Sequence, residues 1–474
     1  MKGSFNCGCY QLFIALSGTL RQDIFVYTYI FTLYMKLSFL ILLITLAASP
    51  HLKAQNPISP PGVYIADPSA RAWGDGKLYI YGSSDESCYY YCSWRHDILY
   101  TDDMLNWKLR EKVFSSDGRG DSVPYNNSLL FAPDCAEKNG RYYLYYCQPD
   151  RQNAEGVATA GDPLGPFGEG QPINTMGYNQ IDPAVFIDDD GRAYYLWGQF
   201  SLKMARLKAN MLELEPTSVR DSILTETEHF FHEGAFMTKK DGIYYLVYAD
   251  ISREDKPTCL GYATSENPTG PYRYRGVIID NDGCNPGNWN NHGSIAEFND
   301  QWYVFYHRST HGCKTMRKAC VEKISFRRDG SIPEVEMTSQ GAGGALKAIN
   351  ETDASRACLL HGNARIIAGS RQNEILSACR NGDAAIYKYL DFGNGVSSVK
   401  MRIRVLNGGK IILSAGKPWL KRLGEFDIVA GNSDPDWQVV EFDTGEISGV
   451  HALWIEFRGA EGKDLFELDW FSFE

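Results

Sequence analysis

A short strand rich in tyrosine returns five times along this chain of 474 residues, at intervals of about 50–60 residues. Each copy follows a polar turn, and a turn followed by aromatic and β-branched residues is typical of a β-hairpin. The copies are residues 76–81 (GKLYIY), 140–146 (GRYYLYY), 191–197 (GRAYYLW), 242–248 (GIYYLVY) and 301–306 (QWYVFY). One hairpin repeated at this spacing predicts a five-bladed β-propeller. A sandwich also contains many short strands, but it would not repeat a single hairpin five times.

The composition supports an all-β fold and excludes one class of partner. The chain has 29 Tyr, 23 Phe, 10 Trp and 45 Gly, which favours strands joined by many turns. Aromatic faces also suit sugar rings, although core packing is their commoner use. The formal net charge is −11, with no run of basic residues, so the sequence predicts no nucleic-acid partner.

The first 54 residues have the pattern of a targeting segment. From Met35 the chain shows a basic residue (Lys36), an apolar run over 37–47 and small residues up to Ala54. This order is typical of a secretory signal peptide, which predicts a removable leader over 1–54 with its true start at Met35. The expected location is then periplasmic, cell-surface or secreted, with no stable membrane span in the mature protein. A single N-terminal membrane anchor is the alternative.

Removal of this leader leaves ten cysteines. An even number in an exported protein permits disulfides, whose pairing the sequence leaves open. The spacings of Cys313 and Cys320, and of Cys358 and Cys379, do not resemble a zinc site, so we interpret these residues as structural.

Three carboxylates and a histidine stand in register with the repeats. Nine residues before the five copies lie Asp67, Phe131, Asp182, Glu233 and His292. In equivalent blades these residues lie at one level around the axis. Blade interiors favour apolar residues, so charged residues that recur at this level need another explanation. Acidic residues also cap turns, but three in register with a histidine favour a site. Paired carboxylates suit cleavage of a glycosidic bond, and crowding raises the pKa of one of them.

The segments around these residues resemble glycoside hydrolase family 43. The matching motifs are 65–69 (IADPS), 131–134 (FAPD), 181–186 (IDPAVF), 232–236 (HEGAF) and 291–294 (NHGS). They occur in the family's order, within a region of resemblance over about residues 57–335. The resemblance implies a five-bladed propeller and an inverting reaction. Fructan hydrolases, which also have five blades and three carboxylates, carry signatures that this chain lacks.

The resemblance also implies a role for each charged residue. Asp67 corresponds to the general base that activates water, and Glu233 to the general acid. Asp182 corresponds to the residue that raises the pKa of the acid and orients the sugar. His292 corresponds to an axial histidine that often holds a calcium or other ion through water in the central channel. The chemistry itself requires no cofactor.

Four further residues are expected to contact substrate. Phe131 stands where many relatives have Trp and keeps an apolar wall. Trp73 and Trp197 lie near the blade entries and are expected to border the sugar, and Arg308 is expected to contact Asp182 or the substrate.

An aromatic insert over 85–95 follows the first repeat. It contains Tyr89, Tyr90, Tyr91 and Trp94. Two interpretations are equally supported: the insert lines the substrate cleft, or it packs on itself.

After residue 338 the pattern changes. A linker over 340–345 (QGAGGA) is followed by alternating stretches at 399–405, 410–414, 437–442 and 453–457, which predict a jelly-roll-like β-sandwich. We therefore predict a propeller domain over 55–338 and a sandwich domain over 339–474.

The second domain resembles carbohydrate-binding module family 6 over about residues 345–474. Relatives commonly have Gly-Asp-Trp where this chain has Gly382-Asp383-Ala384, and an Asn where it has Glu467. Tyr387, Trp419 and Trp437 therefore either form a surface that stacks on sugar or serve packing.

These features predict an exported, inverting glycoside hydrolase that removes pentose or furanose residues from plant cell-wall oligo- or polysaccharide. The first expectation is an α-L-arabinofuranosidase on arabinoxylan or arabinan, and the alternatives are a β-xylosidase or a galactosidase. A non-catalytic sugar-binding propeller is the hypothesis from another class. Decayed chemistry predicts the loss of Asp67, Asp182 or Glu233, and all three are present.

Overall fold

The computed structural model describes residues 55–118, 120–149, 154–178, 180–370, 373–431 and 436–474. The predicted leader over 1–54 lies outside these ranges. Strands dominate the described residues, with one short helix, α1 (Glu226–His229), and two 3-10 turns, Pro216–Ser218 and Ala354–Arg356. None of the helices in the described ranges has the length and apolar character that a membrane crossing requires.

The first part of the described chain forms five consecutive antiparallel sheets of three or four strands, each in chain order. The first two sheets are β1 (Ile65–Ala72), β2 (Leu78–Ser84), β3 (Arg95–Thr101) and β4 (Lys108–Ser115), then β5 (Phe131–Lys138), β6 (Arg141–Cys147), β7 (Glu155–Ala160) and β8 (Gln171–Pro172). The third is β9 (Ala184–Ile187), β10 (Ala193–Trp197) and β11 (Lys203–Arg206). The last two are β12 (Phe231–Lys240), β13 (Ile243–Asp250), β14 (Cys259–Ser265) and β15 (Arg273–Ile279), then β16 (Ser294–Phe298), β17 (Gln301–Ser309) and β18 (Arg317–Ile324).

The first strands of these sheets close a ring. β1 contacts β5, β5 contacts β9, β9 contacts β12, β12 contacts β16, and β16 returns to β1. The predicted tyrosine-rich repeats lie on the second strand of each sheet, namely β2, β6, β10, β13 and β17. A ring of sheets with their first strands around the axis is the arrangement of a β-propeller.

The turn before each repeat explains why most copies begin with glycine. Gly140 and Gly242 have φ values of 74° and 81°, a left-handed conformation that a residue with Cβ adopts at a cost. The fifth copy begins with Gln301 because Asn299 and Asp300 provide the left-handed residues, at 51° and 59°.

The tyrosines of the repeats mainly fill the interior of the sheets. The rings of Tyr145 and Tyr248 are fully buried. Their hydroxyl groups donate to the carbonyl oxygens of Met211 and His229, at 2.9 and 2.7 Å. Since each buried hydroxyl has a partner, the aromatic excess is accounted for largely by packing.

The second part of the chain is the predicted β-sandwich. One six-stranded sheet contains β19 (Leu346–Lys347), β21 (Leu359–His361), β24 (Ala384–Asp391), β26 (Gly409–Ala415), β27 (Lys421–Ile428) and β29 (Val450–Arg458). The other contains β20 (Thr352–Asp353), β22 (Arg365–Ser370), β23 (Asn373–Cys379), β25 (Val396–Val405), β28 (Trp437–Ile447) and β30 (Phe466–Phe473). Leu413 and Ile455 from the first sheet pack with Ile403 and Phe471 from the second in one apolar core. The four predicted stretches fall on β25, β26, β28 and β29.

A buried ion pair joins the sandwich to the propeller. Lys318 on β18 lies with its ammonium 2.7 and 2.6 Å from the two carboxylate oxygens of Glu374 on β23, and it also donates to the Pro60 carbonyl at 2.9 Å. Both side chains are at most 3 % exposed. Burial lowers the pKa of Lys318, and the Glu374 carboxylate opposes that effect. This ion pair therefore joins the two domains, and removal of either residue would leave the other charge buried without a partner.

One disulfide joins two loops at the same end of the ring. Cys88, in the insert after β2, pairs with Cys313, in the loop between β17 and β18, across 225 residues of sequence. The other cysteines of the described residues are free and buried, in keeping with a structural role.

Substitution of Glu374 by Gln should destabilise the protein by about 3–5 kcal/mol, because it leaves the Lys318 ammonium buried without its counter-charge. Urea unfolding followed by tryptophan fluorescence measures this change. The control is Asp102→Asn, which removes an exposed ion pair with Lys108 and should change the free energy of unfolding by less than about 1 kcal/mol. Equal effects of the two variants would contradict the role given to the buried pair.

Candidate active site

The residues at the blade entries are turned into a common cleft by irregular backbone. The register of β1 shifts between Ala66 and Ser69, and that of β12 shifts on either side of Glu233. Asp67 and Asp182 have left-handed φ values of 51° and 62°. Such bulges re-aim side chains at the end of a strand, which here directs the charged groups away from the sheets and toward the axis.

The cleft has a volume of about 290 Å³. It contains all five residues that the repeat spacing singles out. The residues that line it are Asp67, Tyr91, Cys92, Phe131, Ala132, Ile181, Asp182, Gln199, His232, Glu233, Thr258, Trp289, Asn290, His292, Lys314 and Arg317.

Asp67 is held as a carboxylate. Its Oδ1 accepts from Nη1 of Arg317 at 2.8 Å, and its Oδ2 accepts from the Ser83 hydroxyl at 2.7 Å. Burial alone would raise the pKa of Asp67, but the charge of Arg317, together with His292, His307 and the Ser83 hydroxyl, lowers it to about 2. Asp67 is therefore ionised throughout the neutral range.

Arg317 is itself fixed by a second carboxylate. Its Nε and Nη2 donate to the two oxygens of Asp85 at 2.8 and 2.9 Å, and its backbone N–H donates to Asp85 at 3.0 Å. All three side chains in the row Asp85–Arg317–Asp67 are buried. A bidentate pair of this kind fixes the plane of the guanidinium, which leaves one N–H aimed at Asp67. Neither Arg317 nor Asp85 is among the site residues predicted from the sequence.

His307 orients the backbone beneath Asp67. Its Nδ1 accepts from the Asp67 N–H at 3.2 Å, so Nε2 carries the proton and donates to the Asn290 carbonyl at 3.0 Å. Burial and the charge of Arg317 lower the pKa of His307 to about 3. This histidine is therefore a neutral support of the site.

Asp182 and Glu233 form the other side of the cleft. Burial raises the pKa of Asp182 well above its usual value, and the neighbouring carboxylates of Glu233, Asp67 and Glu155 raise it further. Nε2 of Gln199 donates to Oε2 of Glu233 at 2.8 Å. The cleft thus holds one carboxyl group, Asp67, whose pKa is lowered and a second, Asp182, whose pKa is raised.

His292 lies between the two sides. Its Nδ1 is 3.6 Å from Oδ1 of Asp67 and 4.0 Å from Oδ2 of Asp182. Burial lowers its pKa, and the nearby carboxylates oppose this effect. Gly234 is required beside it, because a Cβ there would come within 2.7 Å of the imidazole ring. The motif glycine after Glu233 therefore makes room for the histidine.

The surroundings of His292 do not fit the ion that the resemblance implies. The cavity beneath its ring has an open volume of about 10 Å³, about the room that one water molecule needs. Calcium takes six to eight oxygen ligands. The two carboxylates that line this cavity, Asp67 and Asp134, are already paired with Arg317 and Arg71, so neither is free to bind an ion.

The aromatic residues expected to border the sugar occupy different places. Phe131 lines the cleft, as expected. Trp197 is fully buried, with its Nε1 donating to the Tyr178 carbonyl at 2.6 Å. Trp73 packs edge-on against Tyr142 and does not line the cleft.

Arg308 does not reach Asp182. It is buried on β17, where Nε lies 2.9 Å from the Cys320 sulfur and Nη1 donates to the Ala357 carbonyl at 3.4 Å. It therefore faces the sandwich, and the arginine of the cleft is Arg317, on the neighbouring strand.

Different residues of the aromatic insert over 85–95 serve different purposes, since one lines the cleft and others do not. Tyr91 lines the cleft, whereas Tyr89 is 96 % exposed and Trp94 packs with its Nε1 on the Asn127 carbonyl at 3.0 Å. The Cys88–Cys313 disulfide holds this insert beside the loop that carries Lys314.

The rim of the cleft also contains residues that no motif marks. Trp289 is 64 % exposed. The Lys314 ammonium lies 5.5 Å from the Tyr91 ring and 6.0 Å from the Trp289 ring. In the sequence, the only indication of this rim is a tryptophan within an asparagine-rich segment (residues 288–291, NWNN).

The aromatic residues of the sandwich do not form one surface. Tyr387 is fully buried, and its hydroxyl donates to the Ala354 carbonyl at 2.8 Å, so it serves packing. Trp419 is 75 % exposed, and Trp437 lies beneath the guanidinium groups of Arg402 and Arg404 at 5.0 and 5.1 Å.

Comparisons with known proteins agree with this geometry. The family model for glycosyl hydrolases family 43 matches residues 54–332, and that for carbohydrate binding module (family 6) matches residues 363–474. A xylosidase/arabinosidase of Thermoclostridium stercorarium is 30% identical, over 86% of this chain and 97% of that protein. An arabinoxylan arabinofuranohydrolase of Bacillus subtilis is 29% identical, over 86% of this chain and 90% of that protein.

Solved structures give the same result. The crystal structure of a family 43 arabinoxylan arabinofuranohydrolase from Bacillus subtilis, in complex with cellotetraose, matches with a TM-score of 0.51 and 26% identity, over 89% of this chain and 97% of that chain. A family 43 β-xylosidase/α-arabinofuranosidase from a compost metagenome, in complex with xylotriose and in a calcium-free form, matches with a TM-score of 0.51 and 30% identity, over 60% of this chain and 98% of that chain. The family model covers more than half of the chain, and the carboxylates of the matching motifs meet in one cleft. The chain therefore belongs to glycoside hydrolase family 43, a family of enzymes that hydrolyse glycosidic bonds with inversion.

Proposed function

We propose that this enzyme is an exported α-L-arabinofuranosidase that removes arabinose from arabinoxylan or arabinan. The observation that carries the proposal is the electrostatic contrast within one cleft, where the pKa of Asp67 is lowered to about 2 and that of Asp182 is raised well above its usual value. The choice of sugar is supported by the relatives named arabinoxylan arabinofuranohydrolase and xylosidase/arabinosidase, which match across both domains.

In the proposed reaction, Asp67 is the general base. A water molecule attacks the anomeric carbon as the bond to the leaving oxygen breaks, and Asp67 takes the proton that the water loses. A carboxylate with a pKa near 2 is a weak base toward free water. It attracts the proton once the water oxygen gains positive charge from its new bond to an oxocarbenium-like sugar.

Glu233 is the proposed general acid, and Asp182 is its partner. Glu233 gives a proton to the leaving glycosidic oxygen, so the bond breaks without release of an alkoxide. Asp182 is almost fully buried, and burial together with the charge of Glu233 raises the pKa of Asp182 well above its usual value. The water proton taken by Asp67 returns to solvent, and Glu233 regains a proton for the next turnover.

The shape of the cleft supports removal of a small terminal sugar. A volume of about 290 Å³ lies at the lower end of the range for ligand pockets, roughly 300–1,000 Å³. Phe131 and Tyr91 supply apolar faces inside it, and Trp289 supplies one at the rim. Enzymes of this family require no cofactor for the chemistry, and the proposal uses none.

Export is supported by two separate features. The pattern over residues 1–54 is that of a signal peptide, and the Cys88–Cys313 disulfide suits an oxidising compartment. We propose that the mature enzyme has a propeller domain over 55–338 and a sandwich domain over 339–474, and that its substrate is plant cell-wall polysaccharide.

A β-xylosidase is the second candidate. Relatives named xylosidase/arabinosidase and a similar structure holding xylotriose favour it. Purified enzyme should be incubated with arabinoxylan, arabinan, xylotriose and aryl glycosides of both pentoses. Release of arabinose from the polymers supports the first proposal, and release of xylose alone from xylotriose would replace it by the second.

Substitution of Glu233 by Gln should lower kcat on arabinoxylan by about 10²–10⁴-fold, because an amide cannot protonate the leaving oxygen. The loss should be much smaller on an aryl arabinofuranoside whose leaving group needs no proton. The control is Glu254→Gln, at an exposed position outside the cleft, which should retain wild-type rates. An equal loss on both substrates would contradict the acid role.

Substitution of Arg317 by Met should move the acid limb of kcat/KM to higher pH by about 1–3 units, because Asp67 loses the cation that most lowers its pKa. The base must be ionised, so activity should disappear at a higher pH as the solution is acidified. A pH profile on an aryl arabinofuranoside measures the limb, with Lys314→Met as a cleft variant that does not contact Asp67. An unchanged acid limb in a folded Arg317→Met enzyme would contradict the role of Asp67 as base.

A further inference from the structure

An arginine side chain occupies the axis of the propeller below the cleft. Arg71 lies on β1, four residues after Asp67 and beyond the bulge that turns Asp67 into the cleft. The Arg71 side chain is only 14 % exposed.

This guanidinium contacts the first strands of three other sheets. Its Nε and Nη2 donate to the two carboxylate oxygens of Asp134 on β5, at 2.9 and 2.5 Å. Nη2 also donates to the Val185 carbonyl on β9 at 2.9 Å, and Cζ lies 4.2 Å from the centre of the Phe236 ring on β12. One cation thus links β1 with β5, β9 and β12.

The remaining sheet is joined to β1 at the same level. The hydroxyl of Ser294, on β16, donates to the Pro68 carbonyl at 2.7 Å and accepts from the Ala70 N–H at 2.9 Å. The side chains of β1 and the Ser294 hydroxyl therefore close the ring of sheets around the channel by direct polar contacts.

Asp134 has no capacity left for a metal ion. Besides the two Arg71 bonds, it accepts from the Ser69 hydroxyl at 2.5 Å and from the N–H groups of Cys135 and Val185 at 2.8 and 2.7 Å. Its side chain is 2 % exposed. A carboxylate offers about four lone-pair sites, so these donors use all of them. The cavity between Asp134 and His292 has room for about one water molecule.

We propose that Arg71 is the resident cation of the axial channel and takes the place that a calcium ion would otherwise fill. A guanidinium bound through two parallel hydrogen bonds supplies a permanent positive charge and fixed geometry at the axis. The ring of sheets is then held together by the chain itself. It follows that the stability of the enzyme does not depend on calcium, and this holds whatever sugar the cleft accepts.

The wild-type enzyme provides the first test. After dialysis against EDTA, its thermal midpoint and its activity should be the same with and without millimolar calcium, and elemental analysis should find no stoichiometric calcium. A calcium-dependent midpoint, or one calcium bound per chain, would overturn the proposal.

Variants of the channel provide the second test. Arg71→Ala should lower the thermal midpoint by roughly 5–15 °C, because Asp134 is left buried without a counter-charge. Calcium should now raise the midpoint, since the oxygen atoms of Asp134, Ser69 and Val185 surround an empty, negatively charged space. In Arg71→Ala/Asp134→Asn this space is neutral, so calcium should have no effect.

Two further variants keep the test decisive. Arg192→Ala, which removes a 62 % exposed arginine, should leave the midpoint unchanged. Arg71→Lys keeps the charge but loses the paired hydrogen bonds, so it should fold with a lower midpoint and remain indifferent to calcium, even if Arg71→Ala does not fold. An unchanged midpoint in the Arg71 variants, or the same calcium response in the single and double variants, would overturn the proposal.

Discussion

Negative charges that face one another around a narrow axis are the constraint on which this structure depends. The first strands of the sheets place Asp67, Asp134, Asp182 and Glu233 around one channel, where burial makes each uncompensated charge costly. Guanidinium groups enter the channel region from two strands. Arg317 pairs with Asp67, and Arg71 pairs with Asp134. The pair without a guanidinium is Asp182 and Glu233.

That uneven distribution of cations creates the chemical difference within the cleft. Asp67 and Asp182 are the same residue type, both are buried, and both stand at the start of a blade. Arg317 stabilises the charge of one, whereas Glu233 and Glu155 destabilise the charge of the other, so their pKa values move in opposite directions. Two identical side chains in one cleft thus differ in their tendency to hold a proton because their neighbours differ.

The sequence predicts this fold well because each repeat reflects what a single hairpin needs in order to form. Each copy needs a left-handed turn and a strand of buried aromatic residues, and both leave a signal within seven residues, as at residues 140–146. The residues at the blade entries are predicted for the same reason, since their offset from the repeat is constant. Asp67, Phe131, Asp182, Glu233 and His292 do share one cleft.

The parts of the site that depend on contacts between distant segments are not predictable in this way. Arg308 and Arg317 lie on adjacent strands within ten residues, and Arg308, which follows the fifth repeat by two residues, is the one predicted to reach the site. Yet the pairing of β17 with β18 places Arg317 opposite Ser309, at the end nearer the cleft, and Arg308 toward the sandwich. The alternation of side chains along a single strand does not show which of the two arginines faces the axis. The partner that fixes Arg317, Asp85, is 232 residues away.

The rim of the cleft is likewise formed by segments that lie far apart in sequence. Tyr91, Trp289 and Lys314 come from three different loops, and the Cys88–Cys313 disulfide holds two of these loops together. Loops vary more freely than the strands they connect, because the ring is closed without them through Arg71, Asp134 and Ser294. The carboxylates around the axis are therefore held by the ring itself, whereas the residues of the rim lie on loops that can change without disturbing the ring.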